Sequence, residues 1–178
     1  MLISGNSDVG LAGALYTLYP TAVFCSSSTG WDLTNKVMQE RFAQLALDHD
    51  VIINCAALWR FEQTNLLETV WKTCVENDHK PHIINIGSTT DRVNRAMSWR
   101  YNAEKKALRD YSNSLGMLGV WDNKPKISYI SFGTLSNNQE KHPDRKCMDI
   151  KKAAQYIKWI IEQPNDICVN EISIDPIQ

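Results

Sequence analysis

Tyr101 and Lys105 stand four residues apart in RYNAEKKAL, a stretch with helical patterning, so both side chains leave one face. A phenol gives up its proton only near pH ~10 when unperturbed, and a neighbouring ammonium favours the phenolate. The pair therefore suits a reaction in which a proton is given to, or taken from, a substrate oxygen. Tyrosine and lysine also fall at this spacing by chance, so other polar residues must decide whether the pair matters. Ser88 follows the β-rich run HIINIG and puts a hydroxyl at the carboxyl edge of a sheet, where doubly wound folds bind ligands. Asn54 ends a second such run, VIIN, and Asn65 lies in the helical stretch that follows it.

A third polar turn, Ser4-Gly5-Asn6-Ser7-Asp8-Val9-Gly10, joins the first predicted strand to the first predicted helix. Glycine there lets the backbone approach a pyrophosphate, and a helix N-terminus offers free N–H groups to the anion. No middle glycine is present, so the spacing departs from GxGxxG; a tight turn in which Gly10 and Gly13 pack the helix closely on the sheet competes with the phosphate reading. After the second predicted strand, Cys25-Ser26-Ser27-Ser28 holds no acid to bind a ribose 2′-OH, which favours NADP(H) over NAD(H). No arginine sits in that turn, so the preference rests on serine hydroxyls. Asp32 suits an adenine amino group or, equally, a turn ahead of the next helix.

The elements that must position these residues alternate. Predicted strands are Met1–Ser4, Thr21–Ser26, Val51–Cys55, His82–Gly87, Lys126–Ser131 and Glu171–Ile174; helices fall near Val9–Leu18, Asn35–Leu47, Glu62–Asn77, Arg100–Leu115 and Asp149–Glu162. This is the pattern of an α/β protein with a Rossmann-like, doubly wound parallel sheet covered by helices on both faces, three layers in all. The step from the second strand to the third is compressed. Leu135–Met148 is the longest polar stretch and reads as a substrate loop or a plain surface loop.

Composition sets the bounds. With 178 residues, one domain spanning 1–178 is expected. A formal charge of -1 leaves no basic field for nucleic acid, and no apolar run approaches a membrane span. The start lacks the cationic and apolar segments of a secretion signal, and the five cysteines, odd in number and without CxxC, fit neither a disulfide framework nor a zinc site. A cytoplasmic protein is expected. The four histidines share no metal-binding spacing. Six tryptophans suit core or subunit contacts better than a ligand site.

Taken together these residues resemble the short-chain dehydrogenase/reductase family over nearly the whole chain. Ser4-Gly5 with Gly10 resembles its glycine-rich turn, Asp32-Leu33 its adenine contact, Asn54-Cys55-Ala56-Ala57 its NNAG segment, YNAEKKAL its YxxxK helix, and Ile130-Ser131-Phe132-Gly133-Thr134 its PG-T segment with Phe132 for the proline. The departures are a glycine turn one residue short, a missing segment after the second strand, and a short chain. The resemblance implies an NAD(P)(H)-dependent oxidoreductase interconverting a carbonyl and an alcohol. It implies Tyr101 as proton donor and acceptor, Ser88 holding the substrate oxygen, Lys105 binding the nicotinamide ribose, and Asn65 anchoring a water that links Lys105 to solvent. It further implies cofactor contacts from Gly5, Asn6, Ser7, Val9, Gly10, Ser26, Ser27, Asp32, Leu33, Asn54, Ala56, Ala57, Gly133 and Thr134. Family members commonly pair through the catalytic helix and the one before it, which implies a homodimer or homotetramer in which an exposed Trp71, Trp99 or Tyr111 would serve. Two other readings stay open: a nucleotide-binding protein without useful turnover, and a sugar-nucleotide reductase or epimerase, for which little chain remains after Phe132. Singly, each residue has a plainer role, with Tyr101 and Lys105 facing solvent, Ser88 capping a strand end and Asn54 bridging backbone groups.

Overall fold

The computed structural model describes residues 1–92 and 100–177. Six strands form one parallel sheet: β1 (Leu2–Ser4), β2 (Val23–Cys25), β3 (Val51–Asn54), β4 (His82–Ile86), β5 (Lys126–Phe132) and β6 (Glu171–Ile174), in the order β2-β1-β3-β4-β5-β6. The helices are α1 (Gly10–Leu18), α2 (Lys36–Ala46), α3 (Glu62–Glu76), α4 (Arg100–Asp122) and α5 (Ile150–Ile161). Every predicted strand and helix is present. Chain order reverses between β1 and β3, the switch point where doubly wound sheets bind ligands at their carboxyl ends. The compressed crossover after β2 explains why β2 is the sheet edge: the chain passes through α2 directly to β3 on the far side of β1.

Side chains alternate along the strands, so each strand feeds two cores. Leu2, Ile52, Ile83, Ile127 and Tyr129 meet Phe42 of α2, Leu66 and Val70 of α3, and Leu108 of α4. Ile3, Ile53, Ile84 and Ile130 meet Leu11 and Leu15 of α1 and Ala153, Ile157 and Ile160 of α5. The result is three layers, α/β/α.

Helix α4 runs two turns past its predicted end. Gly119 is a place of close approach in this extension: a Cβ there would lie 2.6 Å from the Pro125 carbonyl. Asn123, at φ 53, and Pro125 make the actual stop. Trp71 and Tyr111 are partly buried against their own core, so neither is the open apolar contact expected of a pairing surface, and Trp99 lies outside the described residues. No helix among the described residues is long and apolar enough to cross a membrane, and they hold no group of three or more metal-binding side chains.

Candidate active site

The glycine turn lies at the switch point. Gly5 has φ +140, and a Cβ there would sit 2.9 Å from the Ala12 Cβ, so the strand end and α1 need a glycine to approach. Gly10, at φ +62, opens α1 behind Val9, which is exposed and provides no side-chain cap. Asn6 Oδ1 accepts from the Asp8 amide at 2.9 Å, and Ser7 Oγ bonds Asp8 Oδ1 at 3.4 Å. The uncapped helix end and the glycine backbone fit a pyrophosphate, although Asp8 places a carboxylate in the same turn. Ser4 Oγ accepts from the amides of Cys55 at 2.9 Å and Ala56 at 3.1 Å, so Ala56 and Ala57 start beside this turn.

The loop predicted at 135–148 is closed at its base by a parallel bridge between Leu135 and Met148, and it contains a 3-10 turn, Ser136–Lys141. The Asn137 amide of that turn reaches the Gly10 side of the glycine turn, 3.6 Å from where a Cβ would stand. Thr134 holds the loop base through its carbonyl, which accepts from the Met148 amide at 2.8 Å. A Cβ on Gly133 would stand 2.9 Å from Pro176 Cδ, so the chain after β6 packs closely on the loop base.

At the end of β2, Ser26 caps the 3-10 turn Ser27–Thr29 and its hydroxyl lies 2.7 Å from Ser28 Oγ, while Ser27 is exposed. Arg41 of α2 lies over the Trp31 ring, 5.7 Å from its centroid, and so brings a cation to the far side of this turn that the local sequence lacks. Asp32 is exposed and accepts through Oδ1 from the Thr34 hydroxyl at 2.6 Å and amide at 3.1 Å, which holds its carboxyl below the usual range. Leu33, beside it, has its side chain in the core and its carbonyl accepts from Gln39 Nε2 at 2.8 Å.

At the other side of the switch point, Ser88, Tyr101 and Lys105 come together. The Ser88 hydroxyl accepts from the Thr90 amide at 3.4 Å and stands near enough to the Tyr101 phenol to draw its pKa down. Lys105 is buried, its Nζ 5.5 Å from the centroid of the Tyr101 ring. Nζ donates to Gln63 Oε1 at 2.6 Å and to the Ile86 carbonyl at 3.1 Å. Burial, opposed by Cys55, Asp91 and Glu104, pulls its pKa down to about 8. Tyr101 goes the other way from the expected ionisation. Burial pushes its pKa up, Asp91 and Glu104 add to the rise, and the Ser88 hydroxyl is what draws it down.

Asn65 does not join them. It is exposed on α3, with Nδ2 on Glu62 Oε2 at 3.1 Å. Two residues along a helix turn a side chain to the opposite side. Gln63 occupies the inner face instead, donating through Nε2 to the carbonyls of Asn54 at 2.9 Å and Ile86 at 3.0 Å. Asn54 completes the clamp, with Nδ2 on the Gln63 carbonyl at 2.9 Å and on Asn85 Oδ1 at 3.0 Å, and so ties strands and helix.

Further residues at the site were not legible in advance. Trp59 packs on Tyr101 with ring centroids 5.3 Å apart. The segment carrying it ends in two left-handed residues, Arg60 at φ 61 and Phe61 at φ 65, a strained conformation for non-glycine residues. Glu104, buried on α4, holds that segment by accepting from the Arg60 amide at 2.9 Å and pairing with Arg100 at 3.0 Å. Asp91 is buried at the end of the 3-10 turn Thr89–Asp91 that Ser88 caps. The hydrophilic types of Asp91 and Glu104 give no hint of burial, because their partners come from distant strands and loops.

Ser88, Tyr101 and Lys105 therefore cluster at the carboxyl edge of a doubly wound parallel sheet, on the same edge as the glycine turn. Known structures with the same fold are short-chain dehydrogenases and reductases. Serine dehydrogenase from Escherichia coli matches with a TM-score of 0.73 at 15% identity, over 97% of this chain and 95% of that one. A short-chain dehydrogenase from Burkholderia cenocepacia, in complex with NADP, matches with 0.74 at 16% identity, over 97% and 86%. A 4-hydroxyisoleucine dehydrogenase complexed with NADH matches with 0.73 at 19% identity, over 98% and 96%. No family model and no curated protein sequence matches the chain. The likeness establishes the fold, which is that of the short-chain dehydrogenases and reductases.

Proposed function

We propose that this chain is a short-chain dehydrogenase/reductase that uses NAD(P)(H) to interconvert a carbonyl and an alcohol. The observation that carries the reading is the Tyr101–Lys105 pair, with Lys105 Nζ 5.5 Å from the centroid of the Tyr101 ring, at the sheet edge that also bears Ser88 and the glycine turn. Gly5, Asn6, Ser7, Val9 and Gly10 would hold the pyrophosphate, and Ala56, Ala57 and Thr134 would border the nicotinamide half. The bound nicotinamide supplies the hydride chemistry. Ser88 holds the substrate oxygen by its hydroxyl, and Tyr101 delivers or removes the proton at that oxygen. Lys105 keeps a positive charge under the phenol. Trp59 gives the substrate an aromatic wall beside Tyr101. The substrate class is a small carbonyl or alcohol; a homodimer or homotetramer in the cytoplasm completes the proposal.

Tyr101→Phe tests it. Titration with NADPH and NADH, followed by nicotinamide fluorescence, should give binding within a few-fold of the unaltered protein, while turnover disappears. Unaltered turnover removes Tyr101 from the mechanism, and binding of neither nucleotide by the unaltered chain removes the reading. The second reading, a nucleotide binder without useful turnover, is supported by the upward push on Tyr101 and by Asp8 in the glycine turn. It expects nucleotide binding with no reduction of any carbonyl.

A further inference from the structure

The segment between β3 and α3 sets a large aromatic side chain beside the proton donor. Leu58 packs against the core that holds Phe42 and Leu66, and its amide donates to the Ala56 carbonyl at 3.0 Å. Trp59 turns the other way. It is 51% exposed, and its ring packs on that of Tyr101 with centroids 5.3 Å apart and planes inclined at 51°. An indole left half open offers a flat apolar surface to whatever binds next to the phenol.

This placement is imposed on the chain. Arg60, at φ 61, and Phe61, at φ 65, are left-handed, a conformation that non-glycine residues keep only when their surroundings hold them. Glu104 holds them from α4, three residues past Tyr101 and so on the neighbouring turn. It is 6% exposed, and its Oε1 accepts from the Arg60 amide at 2.9 Å and from Arg100 Nε at 3.0 Å. Arg100 in turn lies over the Phe61 ring, 5.3 Å from its centroid. Glu104 Oε2 is buried and has no hydrogen-bond partner among the described residues. A carboxylate buried with one oxygen unpaired is costly, and what it secures here is the backbone of the residue next to Trp59. Because Arg100 is paired with Glu104, the group set against Tyr101 is the indole and not a charge.

We propose that Trp59 is a specificity-determining residue that favours aryl aldehydes and ketones over saturated ones, and that Glu104 is the positioning residue that keeps its ring against Tyr101. This inference rests on the oxidoreductase reading and narrows its substrate class. The aryl group lies against the indole. The carbonyl carbon takes the hydride of the nicotinamide and the carbonyl oxygen takes the Tyr101 proton, leaving the alcohol and the oxidised nucleotide, and Tyr101 regains its proton from solvent. Contact between two aromatic rings is worth more than burial of an equal saturated area, and that difference is what the indole reads.

The experiment compares benzaldehyde with cyclohexanecarbaldehyde, equal in carbon number but not flat, each reduced with NADPH by the full chain; the readout is the ratio of their kcat/KM values. Trp59→Ala should lower this ratio about fivefold with KM for NADPH within about twofold, and Trp59→Phe should keep it within about twofold. Glu104→Ala should lower it likewise and raise hydrogen exchange at the Arg60 amide about tenfold, while Glu104→Gln, which keeps an acceptor, should restore both. A ratio unchanged in Trp59→Ala overturns the inference. A ratio unchanged in Glu104→Ala, or not restored by Glu104→Gln, overturns the part given to Glu104. A second readout needs no turnover: the Trp59 indole N–H signal of the ¹⁵N-labelled chain, identified by its loss in Trp59→Phe, should shift with benzyl alcohol and not with cyclohexylmethanol. Failure of the unaltered chain to bind either nucleotide or to reduce either aldehyde counts against the oxidoreductase reading, and the indole signal still decides whether Trp59 receives an aryl group. Equal shifts with the two alcohols, or none, overturn the inference.

Discussion

Lys105 Nζ donates to Gln63 Oε1 at 2.6 Å, so the ammonium beneath Tyr101 is held by an amide of α3 and not through Asn65. Gln63 spends its other end on the carbonyls of Asn54 and Ile86, which makes it the joint between β3, β4 and the Tyr–Lys helix. An amide holds a charge in place but takes no proton from it at neutral pH.

Gln63→Leu should therefore be severe and Asn65→Ala mild. The leucine leaves the Asn54 carbonyl and one bond of Lys105 unpaired in the interior, a loss of about 2–3 kcal/mol in urea denaturation with a matching fall in turnover. The alanine removes one exposed contact with Glu62 and should stay within about 0.5 kcal/mol. Equal effects from the two substitutions would return Asn65 to the site.

Lys105 also sets a pH dependence. Its folded pKa, about 8, lies below the ~10.4 of an unfolded lysine, so between those values the unfolded chain binds more protons and this residue's contribution rises with pH. Below about pH 8 the penalty for burying the charge is constant. Buried Cys25 and Cys74, both pushed up to about 11, work in the opposite direction, so the contribution must be read as a difference. The stability of the unaltered chain minus that of Lys105→Met should grow from pH 8 to pH 10 by roughly 2 kcal/mol in denaturant titrations. A difference flat with pH would mean that Lys105 is not buried as charged.

The sheet and its helices were legible because their signals are local. Val51–Asn54 and His82–Ile86 are apolar runs closed by polar residues, and the α5 stretch repeats its apolar positions at helical spacing. Ser88, Tyr101 and Lys105 were legible because type and order along the chain carry them. Gln63 was not, since a glutamine on the first turn of a helix reads as a solvated residue until α4 and β4 are packed against it. The helix near Arg100–Leu115 runs on to Asp122, because the close approach at Gly119 packs its last turns on the Pro125 carbonyl.

His82 offers a second pH test, at the opposite edge of the sheet. Its Nε2 lies 2.8 Å from Ser128 Oγ, and burial together with Lys126 pulls its pKa down to about 4. The unfolded side chain titrates near ~6.5, so the contribution is whole above that value and is lost as pH falls toward about 4. His82→Gln removes the titration while keeping a polar partner for Ser128. Its stability should fall less steeply than that of the unaltered chain between pH 6.5 and pH 4, followed by circular dichroism in urea; parallel curves would show that His82 is not the group responsible.

Nucleotide preference turns on the end of β2. Ser26 commits its hydroxyl to the turn and no carboxylate stands at the strand end, so nothing there competes with a 2′-phosphate. Arg41, stacked over Trp31, is the guanidinium that three-dimensional packing adds to this region. If that cation attracts the phosphate, Arg41→Ala should weaken NADPH binding by about fivefold at low salt and leave NADH binding within about twofold. Because the side chain is exposed, the NADPH loss should shrink as salt rises toward about 0.5 M, a dependence that a packing defect at Trp31 would not show. Fluorescence titration of both nucleotides at two ionic strengths reads all four values, and equal weakening of NADPH and NADH would remove Arg41 from the choice between them.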